Sequence, residues 1–560
     1  MTQRGRTPLA FGTSGLRGLV SDITDFEAYV NTRGFLDFVT DSRDATPGSI
    51  IALAGDLRPS THSESRSILR AAAKAVIDAG FRPLFCGRIP TPALASFAFE
   101  RRWPSVMVTG SHIPFDRNGI KFNKADGEVL KADEAPILAA VAKRRAAAAG
   151  RGADPTFDDD GMFVPGAVPE LPEEDGSARD AYLARYVRFF PEGALQGLRI
   201  CVYEHTAVGR DLLTDLLRKL GADVFPLGRS ESFVAIDTEA ISEQRLAEIQ
   251  NMIDGARREH GRVDALVSTD GDSDRPLVVA VDRDGKARFI SGDVLGILVA
   301  DYLRADALGV PITSSDAIDL FFSDPGVLRI RTKVGSPWLI AAMAGVPGSR
   351  RVGWEANGGF LTFSPIERSG RTLAALPTRD AFLPILACLH ASAEKKSSLG
   401  ALLALLPQRF TRAGLLDNVP VEEMARLMRA LRPENDAVTS VVFSPGKLTA
   451  WDATETKLVL APPDVLELAG IERSLARHFD EARGFSPIAR LNFLDGIRIG
   501  FENGDVAHIR PSGNAPQLRL YAQASAEVRA KAIVDDAIAD PSGLLRALLA
   551  DTGAKAFQEI

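Results

Sequence analysis

The sequence predicts α/β domains with parallel or mixed sheets, followed by a separate α+β domain. Short apolar runs alternate with longer amphipathic stretches, and the most polar motifs stand directly after the apolar runs. Beyond Arg412 the rhythm changes. In α/β sheets chemistry gathers at the carboxyl ends of strands, so those polar motifs are the first place to look for function.

Ile50-Ile51-Ala52-Leu53-Ala54 reads as a buried strand, followed by a helical pattern from about Glu64 to Ala79 that Gly80 closes. Val106-Met107-Val108 is a strand ending in the polar loop that starts at Thr109. Leu198 to Tyr203 is another, followed by a helix from about Gly209 to Leu220. Val263-Asp264-Ala265-Leu266-Val267 is a third clear strand, running into an acidic loop. Arg151 to Ala178 is rich in Pro, Gly and acids, including Asp158-Asp159-Asp160 and Glu173-Glu174-Asp175, and reads as a solvated linker or excursion. The last region ends in strand-like Ile497 to Phe501 and Leu518 to Tyr521.

The 560 residues predict three to four domains at roughly 150 residues each. A net charge of −7 argues against a nucleic-acid partner, which calls for a basic face. It leaves an anionic small substrate open, because local fields can oppose net charge. Cys86, Cys201 and Cys388 are far apart and lack metal-type spacing, as expected of small core residues in a reducing compartment. Arg4 and Arg6 are followed by Phe11-Gly12-Thr13-Ser14-Gly15, not by an apolar segment, so no signal peptide is expected. The longest apolar stretch, Leu373 to Ala393, carries Arg379 and Asp380 and two prolines, which excludes a membrane span. A soluble, cytoplasmic protein is the expectation.

The strongest single motif is Asp270-Gly271-Asp272-Ser273-Asp274-Arg275. Carboxylates at i, i+2 and i+4 cannot share one helix face, but on a curved loop they converge on one hard cation. A calcium EF-hand needs Gly at loop position 6 and Glu at position 12, where Arg275 and Val281 stand. By itself the triplet is also compatible with a solvated acidic turn. The second motif, Thr109-Gly110-Ser111-His112-Ile113-Pro114, continues to Asn118-Gly119-Ile120-Lys121. A serine after a strand, beside a histidine, is a candidate nucleophile, and Lys121 can neutralise phosphate or take a proton. No GxSxG elbow accompanies it. Arg510-Pro511-Ser512-Gly513-Asn514 offers a phosphate cradle. In Gly353-Trp354-Glu355-Ala356-Asn357-Gly358-Gly359, Glu355 and Asn357 can bond sugar hydroxyls, whereas Trp354 is read as packing. Gly12 to Gly18 and Gly55-Asp56-Leu57-Arg58-Pro59-Ser60 are loops able to hold anions.

In order, FGTSGLRG, GDLRPS, TGSHIPFDRNGIK, DGDSDR, GWEANGG and RPSGNAP run from Phe11 to Pro516. Together they resemble the α-D-phosphohexomutase family, which includes phosphomannomutases and phosphoglucomutases. The resemblance implies four domains around a central active-site cleft, three related α/β units and a smaller C-terminal α+β unit, each giving one loop to the site. The boundaries expected here are 1–178, 179–290, 291–411 and 412–560. It implies that Ser111 is carried as phosphoserine and that Asp270, Asp272 and Asp274 hold Mg²⁺ with that serine as a further ligand. Glu355 and Asn357 take the sugar. Arg510, Ser512, Gly513 and Asn514 take its non-reacting phosphate, with Arg519 in the same substrate-binding set. Arg17, His112, Lys121 and Arg275 stand by the transferred phosphate, with Lys121 or His112 the candidate acid/base.

The implied reaction interconverts hexose 1-phosphate and 6-phosphate, mannose first and glucose next, through a hexose 1,6-bisphosphate. The implied partners are a small sugar phosphate, no nucleic acid and no membrane. Departures from the family pattern are Ile113 in place of Asn, Asn514-Ala515 in place of Thr-Glu, Asn357 in place of Ser, and Ser336 where some members have His. Phosphoglucosamine mutases, the nearest alternative, carry a Gln-Ser pair where Ala356-Asn357 stands. A metal-dependent phosphatase and a silent sugar-phosphate binder are the alternatives of other classes.

Overall fold

The computed structural model describes residues 9–12, 15–63, 67–149, 156–239, 241–512 and 516–556. Its contacts divide the chain into two compact units. One comprises residues 1–310, 324–330 and 335–405. The other comprises 311–323, 331–334 and 406–560.

The larger unit holds three α/β sheets of mixed direction, as the alternating pattern predicts. In the first, Ser105–Val108, Ile50–Gly55 and Arg82–Arg88 run parallel, while Arg117–Asn123, Leu16–Leu19 and Ala10–Phe11 extend it antiparallel. Helices cover it, so Ile51 to Ala54 are wholly buried and read as one continuous apolar run. In the second, Ala265–Thr269, Arg199–His205 and Asp223–Arg229 are parallel, and Pro276–Val281 and Ala287–Ile290 are antiparallel. The third has the order Leu328–Thr332, Ala307–Pro311, Arg351–Trp354, Phe360–Thr362, Leu376–Asp380.

The smaller unit is an antiparallel seven-stranded sheet, from Phe410–Leu416 at one edge to Lys447–Trp451 at the other. Helices Val421–Ala430, Pro462–Ala476, Glu527–Ile538 and Leu544–Ala556 accompany it, and an apolar core from Leu416 to Leu549 fills it. It is the expected α+β unit. Segment 311–323 belongs to it through Asp316, which pairs with Arg498 and gives its N–H to Gln523 Oε1 at 2.9 Å.

Three local expectations shift. The helix expected from about Glu64 to Ala79 is Ile68–Asp78, after a short turn of helix at Pro59–His62, because Ser67 caps it by accepting from the Arg70 N–H; residues 64–66 lie outside the described residues. The third strand is Ala265–Thr269, two residues later than its apolar run, because Asp264 turns its carboxylate to the Arg199 N–H at 2.9 Å. The excursion is a docked segment over 156–178. Phe157 is buried against Phe26, Tyr29 and Phe163. The Phe26 N–H donates to the Gly161 carbonyl, and the Asp175 N–H to that of Phe85. Two aromatic anchors outweigh the polar composition around them. Residues 150–155 lie outside the described residues.

Cys86, Cys201 and Cys388 are buried free thiols, and Trp354 is buried and stacked on Phe360. Among the described residues no helix is long and apolar enough to cross a membrane.

Candidate active site

Two hairpin loops hold most of the candidate site residues of the larger unit. The first, 109–116, joins Ser105–Val108 to Arg117–Asn123. Ser111 is fully buried and left-handed, with φ 54°. Its N–H donates to Thr109 Oγ1 at 2.8 Å, and its carbonyl accepts from Arg58 at 2.9 Å. Arg58, itself buried, also donates to the carbonyls of Ile113, Pro114 and Arg117. Asp56 anchors that guanidinium at 3.2 Å and accepts from Thr109 Oγ1 at 2.8 Å. The GDLRPS loop, read from sequence as an anion loop, is thus the scaffold of the serine loop. Gly110 is required by the close approach, since a Cβ there would lie 2.6 Å from the Arg58 guanidinium.

The second loop, 270–275, joins Ala265–Thr269 to Pro276–Val281. Asp270 Oδ1 accepts the N–H groups of Asp274 and Arg275, which curls the loop so that the carboxylates converge. One oxygen from each of Asp270, Asp272 and Asp274 lies within 4.8 Å of the others, and all three residues are buried. The loops meet where Ser111 Oγ donates to Asp270 Oδ2 at 2.7 Å. Lys121 bridges Asp272 Oδ2 at 2.6 Å and Asp274 Oδ2 at 2.8 Å, and Thr91 donates to Asp272. Asp272 Oδ1 and Asp274 Oδ1 are buried without a hydrogen-bond partner. Three converging carboxylates with two unspent oxygens, all hard donors, fit a divalent cation.

The charges are strongly coupled. Burial, then Asp272 and Asp274, raise the Asp270 carboxyl well above its usual range. For Asp274, burial acts upward, but Arg379, Lys121 and Arg275 outweigh it and hold the group ionised. For Lys121, burial acts downward, but Asp272 and Asp274 prevail and hold it charged. Burial, then Arg275 and Arg379, lower Arg17 to about 10. Burial, Arg275 and Arg17 keep His112 neutral, its Nδ1 3.4 Å from Ser111 Oγ. Arg275 and Arg379 thus repel Arg17, a cation that an incoming phosphate would relieve.

Glu355 follows strand Arg351–Trp354 and is buried. Asn357 Oδ1 accepts the Gly359 N–H at 3.0 Å, and its carbonyl accepts from Thr238 Oγ1 at 2.9 Å. Ser336 is buried and donates to Glu128 Oε2 at 3.0 Å.

In the smaller unit, Arg510 stands directly across from Arg519 on neighbouring strands. Arg510 Nε donates to Asp495 at 3.0 Å, and Arg519 Nε is buried without a hydrogen-bond partner. Like charges so placed repel, and an anion would relieve both. The Ser512 N–H donates to the Gln517 carbonyl at 2.9 Å. Gly513 and Asn514, like Thr13 and Ser14, lie outside the described residues.

The larger unit therefore brings together Ser111, His112, Lys121, Arg17, the three aspartates, Arg275 and Glu355. Sequence reasoning missed Arg379, a buried arginine that bonds Asp274 Oδ2 at 2.9 Å and Glu355 Oε2 at 3.0 Å. Its signal was there: an Arg-Asp pair inside an apolar run seldom lies buried unless it is paired.

Comparison with known proteins gives the family. The family model for phosphoglucomutase/phosphomannomutase alpha/beta/alpha domain I matches residues 8–148, domain III matches 291–410, and the C-terminal domain matches 455–540. A phosphomannomutase of Sinorhizobium fredii is 36% identical over 523 residues, covering 92% of this chain and 94% of the relative. One of Salmonella muenchen is 35% identical over 539 residues, covering 96% of each. The solved structure of a phosphoglucomutase/phosphomannomutase family protein from Burkholderia thailandensis superposes with TM-score 0.63 at 17% identity, over 97% of both chains, which speaks for the fold. Long matches at this identity, on a chain whose serine and acidic loops meet in one buried site, make it a member of the phosphoglucomutase/phosphomannomutase family, the α-D-phosphohexomutases, and a phosphotransfer mutase.

Proposed function

We propose that this phosphohexomutase interconverts mannose 1-phosphate and mannose 6-phosphate, with glucose phosphates as second substrates, through phosphorylated Ser111 and a hexose 1,6-bisphosphate. The observation that carries this reading is Ser111 Oγ at 2.7 Å from Asp270, beside two buried carboxylate oxygens without a hydrogen-bond partner. The mannose preference is supported by relatives named phosphomannomutase at 35–36% identity.

Asp270, Asp272 and Asp274 would hold Mg²⁺, which, when bound, neutralises charge on the phosphoryl oxygens. Phosphoryl transfer asks mainly for positioning and charge neutralisation. In the first half, a sugar hydroxyl oxygen bonds phosphorus as the bond from phosphorus to Ser111 Oγ breaks. The hydroxyl's proton passes to Ser111 Oγ by way of Lys121 or His112. Arg17, Arg275 and Lys121 neutralise the moving charge. Glu355 and Asn357 orient the sugar, while Arg510, Ser512, the segment 513–514 and Arg519 take the non-reacting phosphate. After the bisphosphate reorients, the reverse transfer restores phosphoserine and releases the isomer.

The four-domain division at 178, 290 and 411 is part of this proposal. One large mixed sheet within each of the first three segments supports the first two boundaries, and the seven-stranded sheet opens at Phe410, one residue before the last. Three separate buried thiols suit a reducing cytoplasm.

The test is a coupled assay with Mg²⁺ and a trace of glucose 1,6-bisphosphate on mannose, glucose and glucosamine 1-phosphates. Conversion with the highest kcat/KM for mannose is expected. A preference for glucosamine overturns the substrate, and phosphate release without isomerised sugar overturns the mutase reading in favour of a phosphatase.

A further inference from the structure

Arg379 spans two loops that the proposed reaction keeps separate. Its Nη2 and Nε lie 2.9 and 3.2 Å from Asp274 Oδ2, and its Nη1 lies 3.0 Å from Glu355 Oε2 and 3.5 Å from Ser336 Oγ. The side chain is 3% exposed. It reaches this position from strand Leu376–Asp380 by passing over Gly359, where a Cβ would lie 2.6 Å from its Cδ. The glycine leaves the corridor that the arginine fills.

We infer that Arg379 is a positioning residue that couples the cation loop to the sugar loop through one shared guanidinium. The inference rests on the proposed roles of Asp274 and Glu355. The charge of Arg379 competes with a cation for Asp274 and at the same time fixes Glu355 for the sugar. When a cation takes up the charge of Asp274, the guanidinium is held less tightly there and more by Glu355. Cation and sugar phosphate then favour one another, and thermodynamic linkage makes the effect equal in both directions. A purely structural arginine would weaken both ligands when removed. Arg379 is expected to have opposite effects on them.

The test titrates Mn²⁺ into the dephosphorylated protein by electron paramagnetic resonance, and measures kcat and KM for mannose 1-phosphate separately. Arg379→Met is expected to bind Mn²⁺ about fivefold more tightly, because a positive charge has left the carboxylates. Its KM is expected to rise about tenfold, because Glu355 has lost a charged partner. Arg379→Lys restores the charge without the fork, so Mn²⁺ affinity returns toward wild type while KM stays raised. Gly359→Ala keeps the charge but blocks the corridor, and decides the matter if Arg379→Met does not fold; it is expected to raise KM and to tighten Mn²⁺ binding by a smaller factor. A folded Arg379→Met with unchanged or weaker Mn²⁺ binding overturns the coupling, as does a Gly359→Ala protein with wild-type KM. Wild-type protein that binds no Mn²⁺ removes the cation reading and this inference with it, an outcome distinct from the other two.

Discussion

Ser111 owes its position to atoms that are not its own. Its backbone is held left-handed by Thr109 and Arg58, and only its hydroxyl is directed at the acidic loop. Ser111→Ala should therefore keep the loop and the sugar-phosphate affinity while multiple turnover falls at least about a thousandfold; calorimetric binding beside steady-state rates checks this, and near-normal turnover would remove Ser111 from the mechanism. Asp272→Asn should lose activity and most Mg²⁺ affinity, read by metal titration, since one unspent oxygen becomes an amide and Lys121 loses a charged partner. Survival of metal-free activity would contradict the cation site. The three aspartates were legible in the sequence because neighbours on one tight loop must share a space. The apolar run around Arg379 marks it as paired but not with what, and Glu128 is not marked at all, because their partners lie far away in sequence: Arg379 reaches Asp274, and Glu128 reaches Ser336 and Thr378. No local spacing encodes such meetings.

At the scale of elements, apolar periodicity located the central strands, because a strand covered on both faces must be apolar throughout. It failed where a few side chains decide. The excursion 151–178 carries the composition of a solvated linker, yet Phe157 and Phe163 dock its described part on helix Asp25–Asp41. Phe157→Ala should cost about 3 kcal/mol in urea unfolding while kcat stays within about twofold. An unchanged midpoint would show that the segment is only laid on the surface. The candidate site follows the rule that function sits past the carboxyl ends of parallel strands: Asp56, Thr109, Asp270 and Glu355 each stand one residue after a strand of the larger unit. The sequence marked the first three as polar after apolar, whereas Glu355 was marked only by its glycines.

For the whole molecule, acid should act on both units. His205 in one and His508 in the other are buried, each donating Nε2–H to a backbone carbonyl and leaving Nδ1 without a hydrogen-bond partner. Burial pushes both down to about 4, while an unfolded histidine titrates near 6.5. Above pH about 6.5 both states are neutral and stability is complete. As pH falls toward 4 the unfolded chain takes up protons that the folded one refuses, removing up to about 3 kcal/mol per histidine. Urea midpoints measured from pH 7.5 to 4.5 should fall across that window, and His508→Gln should flatten part of the slope; an unaltered slope would acquit the residue. The smaller unit has one further property. It is assembled from three separate stretches, and Asp316, which secures Arg498 and Gln523, arrives from the earliest of them. A gene fragment spanning only 406–560 thus inherits a sheet without its clasp, so recombination among relatives can exchange this unit cleanly only when both parental breakpoints carry residues 311–334 along with it.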